Sequence, residues 1–131
     1  MANILLVDDQ PYMGEFLAEE LSGMGHSLKQ VGDGDSLFLE LEEASPDLVL
    51  LDLYINDFDG WALLDEIKTH DRRIPVIILT AYDSFSNDPR LSLTQGYVIK
   101  EFVTDKLKSK IAEVLALSEP ATAPQAGTLF V

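Results

Sequence analysis

A chain of 131 residues, 47% of them hydrophobic, is sized for one core and one domain. Its formal charge of -14 at pH 7 argues against nucleic-acid phosphates and anionic membranes as partners, since both attract clustered Lys and Arg. It has no Cys, hence no disulfide framework or thiolate zinc site, and its first apolar run is too short for a signal peptide or a span, so cytoplasmic residence is expected.

Ile4 to Val7 form a short apolar strand that ends in Asp8 and Asp9. Pro11 suits the first turn of a helix, and Met13, Phe16, Leu17, Leu21 and Met24 recur at helical spacing before Gly23 and Gly25 stop it. His26 to Val31 read as a weaker strand. Asp33-Gly-Asp-Ser then turns the chain into an acidic amphipathic helix with Leu37, Phe38 and Leu41 on its buried stripe. Pro46 closes the connection into Leu48 to Leu51, an unbroken apolar run that fits a strand covered on both faces. Asp52 ends that strand, at the edge where open α/β sheets bind ligands. Taken alone, such an Asp fits the start of a turn equally well.

After Gly60, Trp61, Leu63, Leu64 and Ile67 mark a helix up to His70, and Pro75 precedes the strand Val76 to Thr80. The breaker cluster from Asp83 to Pro89 leaves only Arg90 to Thr94 for a helix, which is expected to be short or frayed. Tyr97 to Ile99 form the last strand, ending at Lys100, and Leu107, Ile111, Val114 and Leu115 define a final amphipathic helix. Five strands alternating with four or five helices predict a doubly wound α/β fold around a parallel sheet. The predicted domain covers residues 1-117, with a mobile Pro- and Ala-rich tail at 118-131.

Right-handed crossovers gather Asp8, Asp9, Asp52, Thr80 and Lys100 on one sheet edge. Three carboxylates so close would repel each other without a cation, and oxygen ligands with open positions suit hydrated Mg²⁺. With Lys100 as a mobile charge and Thr80 as a hydroxyl, the site is arranged to receive an anion, and Asp52 is placed to be an oxygen nucleophile toward phosphoryl. Each residue also has a plainer reading. Asp8-Asp9 would cap a helix, Thr80 would end a strand, and Lys100 would be a solvated lysine. Their coincidence at successive strand ends favours a site.

The stretches Ile4-Leu-Leu-Val-Asp8-Asp9, Pro46-Asp-Leu-Val-Leu-Leu-Asp52, Val76-Ile-Ile-Leu-Thr80-Ala81 and Tyr97-Val-Ile-Lys100 resemble the four signatures of response-regulator receiver domains of bacterial two-component systems. The resemblance covers about Ala2 to Leu117. It implies a flavodoxin-like strand order, 2-1-3-4-5, with helices on both faces. It implies that Asp52 accepts phosphoryl from a phosphohistidine on a sensor histidine kinase or a phosphotransfer protein. Mg²⁺ would be held by Asp9, Asp52 and the backbone carbonyl of Tyr54, with Asp8 acting through water. Lys100 would pair with the carboxylate and then the phosphoryl group, Thr80 would move to bond it, small Ala81 would leave room, and Tyr97 would swing inward as a switch. Such a domain is a phosphoacceptor rather than an enzyme, one that assists its own phosphorylation and dephosphorylation. It signals through a downstream protein target.

Two departures bear on these expectations. Lys100 is followed by Glu101 where such domains usually have a cis Pro, and Asn56 stands where a loop Pro is common. Because a non-proline cis bond costs about 2.5–4 kcal/mol, the Lys100-Glu101 bond is expected to be trans, with Lys100 approaching Asp52 less directly. The resemblance also implies that Tyr54, two residues after the acceptor, and Tyr82, two after Thr80, flank the path of the hydrolytic water, where their rings are expected to slow loss of the phosphoryl group. A flavin binder would need donors where Asp8-Asp9 stand, and a haloacid-dehalogenase-type phosphatase would need an acid at Tyr54. The remaining rival is a receiver-like interaction scaffold without regulated phosphorylation. With no residues for an output domain after Leu117, a stand-alone receiver is expected.

Overall fold

The computed structural model describes residues 1–55 and 58–118. In chain order the elements are β1 (Asn3–Val7), α1 (Pro11–Ser22), β2 (Ser27–Val31), α2 (Gly34–Glu43), β3 (Leu48–Leu51), β4 (Tyr54–Ile55) and β5 (Phe58–Asp59). There follow α3 (Gly60–His70), β6 (Val76–Thr80), a 3₁₀ turn (Pro89–Leu93), β7 (Gly96–Ile99) and α4 (Asp105–Ser118).

The main sheet is parallel, in the order β2-β1-β3-β6-β7. With β4 and β5 paired only to each other, this is the 2-1-3-4-5 order of a doubly wound fold. All four residues of β3 and all five of β6 are buried, which is why these strands are continuous apolar runs in the sequence. Side chains alternate faces. Val7, Val49, Leu51 and Ile78 pack with Leu37 and Leu41 of α2 and Leu64 and Ile67 of α3. Leu6, Leu50, Ile77 and Leu79 pack on the other face with Leu17 and Leu21 of α1 and Ile111 and Val114 of α4. Each such side chain stabilises the fold by roughly 1.5–3 kcal/mol relative to exposure.

The register carries the site. Val7 lies opposite Leu51, Leu51 opposite Ile78, and Thr80 opposite Ile99, so the strands finish at nearly one level. Beyond them the ladder continues into the polar residues: the Asp8 N–H donates to Val31 O at 3.0 Å, the Asp52 N–H to Val7 O at 3.0 Å, and the Lys100 N–H to Thr80 O at 2.7 Å.

Some expectations are corrected. Phe38 is 49% exposed, not on the buried stripe of α2. One residue rotates a helix by about 100°, and with Leu37 and Leu41 facing the sheet, Phe38 is carried off it toward α3. The second strand begins at Ser27 because His26 serves elsewhere, its Nδ1 accepting the Ala2 N–H at 3.1 Å. The short fourth helix is a 3₁₀ turn one residue earlier than expected, started by the Asp88 carboxylate accepting from Arg90 N–H at 2.9 Å. Asn56 and the tail beyond Ser118 lie outside the described residues.

Candidate functional site

Asp52 directly follows β3 and is 4% exposed, and Asp8 directly follows β1 and is fully buried. Lys100, following β7, enters between them. Its Nζ lies 2.8 Å from Asp52 Oδ2 and 2.8 Å from Asp8 Oδ2. The other carboxylate oxygens are held by backbone: Asp52 Oδ1 accepts from Tyr54 N–H at 3.0 Å, and Asp8 Oδ1 from Gln10 N–H at 2.9 Å.

One ammonium therefore serves two buried carboxylates. Burial pushes the Asp52 carboxyl above its usual range, against the opposing pull of the Lys100 hydrogen bond and the Tyr54 amide. Burial by itself would lower Lys100, but hydrogen bonds and charge from Asp52 and Asp8 outweigh it and raise the pKa. The two directions agree once sharing is considered. Lys100 gains from two anions, while each anion has half a cation. Asp8 Oδ2 shows the same shortfall, being buried and lacking an aligned hydrogen bond although the ammonium lies beside it.

Lys100 is a correction to the expected loop geometry. No peptide bond among the described residues is cis, so Lys100-Glu101 is trans as expected, yet Lys100 reaches Asp52 directly. The long side chain absorbs the difference, because its backbone is already fixed by the bond to Thr80 O. Among the described residues no three His, Cys, Asp or Glu side chains are grouped so as to hold a metal ion by themselves. Of the three acids at this edge, Asp8 and Asp52 are buried, while Asp9 is only half-buried.

Thr80 is fully buried at the end of β6, its Oγ1 3.4 Å from Tyr82 N, and Ala81 is exposed beside it. The Tyr97 hydroxyl donates to Tyr82 O at 2.5 Å. Tyr54 and Tyr82 meet edge to face with centroids 4.7 Å apart. These rings join Gln10, Ala81 and Phe102 around a cleft of about 550 Å³ that reaches Asp52 and Lys100. Gly60 is required behind it, since a Cβ there would lie 2.5 Å from Leu53 Cα, in the backbone just after Asp52.

Sequence reasoning missed several supports. Gln30 Nε2 donates to Asp8 O at 2.7 Å and Gln10 O at 2.9 Å, fixing the loop that carries Asp8. Gln30 is one of three polar residues in β2, with Ser27 and Lys29, and nothing local sets it apart from them. Phe85 packs tilted against Tyr54 at 5.6 Å between centroids and edge to face against Trp61 at 5.8 Å, and Arg90 lies 4.0 Å above the Trp61 ring. That ladder joins segments far apart in sequence and has no linear signature.

The family model of the response regulator receiver domain matches residues 4–112. The chain belongs to this family. The DNA-binding response regulator MtrA of Mycolicibacterium smegmatis is 34% identical over 119 residues, 88% of this chain and 51% of MtrA. Among solved structures, the response regulator TrrA of Thermotoga maritima in complex with Mg²⁺-BeF has a TM-score of 0.81 and 32% identity, covering 87% of this chain and 99% of TrrA. TrrA in complex with the histidine kinase ThkA matches with the same score and identity, over 88% of this chain and 99% of the other. The receiver domain described here spans only part, 28% to 56%, of the length of the curated relatives compared. DNA binding is thus a property named for a longer protein, and the acidic charge of this chain speaks only for its own residues. No helix among the described residues is long and apolar enough to cross a membrane.

Proposed function

We propose that this receiver domain takes part in phosphorelay by accepting a phosphoryl group on Asp52 from a histidine kinase or phosphotransfer protein. The observation that carries this reading is the Lys100 ammonium at 2.8 Å from both Asp52 and Asp8. Two buried carboxylates sharing one cation leave the site short of positive charge, and Asp8 Oδ2 has no aligned hydrogen bond, which fits a divalent ion bound by oxygen. Asp9, Asp52 and the Tyr54 carbonyl would hold Mg²⁺ directly, with Asp8 acting through water. When bound, the ion supplies neutralisation of charge on the phosphoryl oxygens.

In the reaction a carboxylate oxygen of Asp52 forms an O–P bond as the N–P bond of the phosphohistidine breaks, and that electron pair returns to the imidazole. Lys100 transfers its hydrogen bond from the carboxylate to a phosphoryl oxygen. Ala81 leaves space, Thr80 supplies a hydroxyl, and inward movement of Tyr97 requires release of its bond to Tyr82 O. The domain is thus a phosphoacceptor whose own residues promote both gain and loss of the group. Phosphate-affinity electrophoresis after treatment with acetyl phosphate should show a Mg²⁺-dependent retarded band. A band insensitive to chelation would contradict the role given to Asp8 and Asp9.

A further inference from the structure

We infer that the groove between α2 and α3 is a docking site for a basic amphipathic helix of a partner protein. Its volume is about 520 Å³. Phe38 and Leu39 of α2 form one wall, at 49% and 59% exposure. Neither is needed to seat α2 on the sheet, which Leu37 and Leu41 already do. Two adjacent large apolar groups held at the surface beyond the demands of the core offer a partner an apolar wall to bury. Phe58 lies across from them, close enough to α2 that a Cβ on Gly34 would come within 2.8 Å of its ring. Ala62, a small side chain on α3, leaves the groove open between these walls.

The rim selects the occupant. Asp35, Asp59 and Glu66 line the groove, and no Lys, Arg or His is among its described lining residues. An apolar floor with a rim of one sign is complementary to a helix bearing apolar residues at i, i+3, i+4 and i+7 flanked by Lys or Arg. An added strand would need a free sheet edge, and the edges of this sheet are β2 and β7. A second copy of this chain would bring another -14 charge against the same acidic rim. The site is separate from the acceptor cleft, as Asp52 and Lys100 do not line it, and its docking requires no phosphoryl group.

The test is titration of the ¹⁵N-labelled full chain with a short synthetic Leu/Lys amphipathic helix, compared with a Leu/Glu peptide of the same apolar pattern. The amides of Phe38, Leu39, Ala62 and Glu66 should shift with the Leu/Lys peptide, less so at high salt, and not with the Leu/Glu peptide. Leu39→Ser, at an exposed position, should keep the fold, seen as an unchanged spectrum elsewhere, and weaken binding about tenfold. Shifts confined to another face, equal binding of the Leu/Glu peptide, full binding by Leu39→Ser, or no shift at these amides would each overturn the inference. Self-association on this face, seen as concentration-dependent shifts without peptide, would overturn the choice of occupant.

Discussion

Thr104 donates its hydroxyl to Glu20 Oε1 at 2.7 Å, tying the start of α4 to α1. Lys108 closes the same cluster from the first turns of α4, at 3.1 Å from Glu20. Between this anchor and Lys100 the chain passes through exposed Phe102 and Val103, so the clamp is what fixes the far end of the loop carrying the site lysine. Thr104→Val should cost about 1 kcal/mol, the net worth of a hydrogen bond, read as a lower urea midpoint with unchanged slope. No change in midpoint would mean that Glu20 and Lys108 hold the loop without Thr104.

Gly60→Ala is expected to destabilise by roughly 1–3 kcal/mol, the range for forced overpacking, because the nearest atoms to the new methyl are the backbone of Leu53. The strain falls next to Asp52. Chemical denaturation measures the cost, and a neutral result would show that α3 can shift away without penalty.

Tyr54 and Tyr82, in contact at 4.7 Å between centroids, stand over the mouth of the acceptor cleft. On the proposed function, they shield the acyl phosphate from water. Phosphoprotein decay should be faster in Tyr54→Ala and in Tyr82→Ala than in the parent. Equal rates in all three would remove the shield from the account.

Stability should fall as pH drops below neutrality through His26. Burial lowers its pKa from 6.5, the amino terminus lowers it further, and Asp47 opposes. The folded state thus favours neutral imidazole, whose Nδ1 accepts the Ala2 N–H. The unfolded chain binds the proton first, so this contribution is complete above about pH 6.5 and is lost as pH falls through the lower folded value. The thermal midpoint of His26→Gln should change less than that of the parent between neutral pH and about pH 5. The same slope in both would exclude His26 as the titrating group.

How much was legible depends on whether a feature is local in the chain. The run Leu48 to Leu51 announces its burial on both faces because every residue is apolar, and the acids and Lys100 follow strand ends, with Thr80 closing β6, that register then aligns. Phe38 was misplaced because apolar character at helical spacing cannot separate a stripe of two residues from a wider one, and rotation by one position changes the face. The direct reach of Lys100 was missed because a trans peptide constrains backbone and not the flexible side chain above it. The pair β4 and β5, two residues each, is too short to leave a period. Support from Gln30, Phe85 and Arg90 depends on distance across the fold and leaves none either.

The central claim is that Asp52 is the phosphoacceptor. Intact mass followed by peptide mapping, after acetyl phosphate and Mg²⁺, tests it most directly in the parent and in Asp52→Asn. The account predicts one added phosphoryl group in the parent, located on the peptide containing Asp52, and none in the variant or after chelation. Equal modification of Asp52→Asn would contradict it, and an unmodified parent under conditions that phosphorylate a control receiver would contradict it and favour the interaction scaffold.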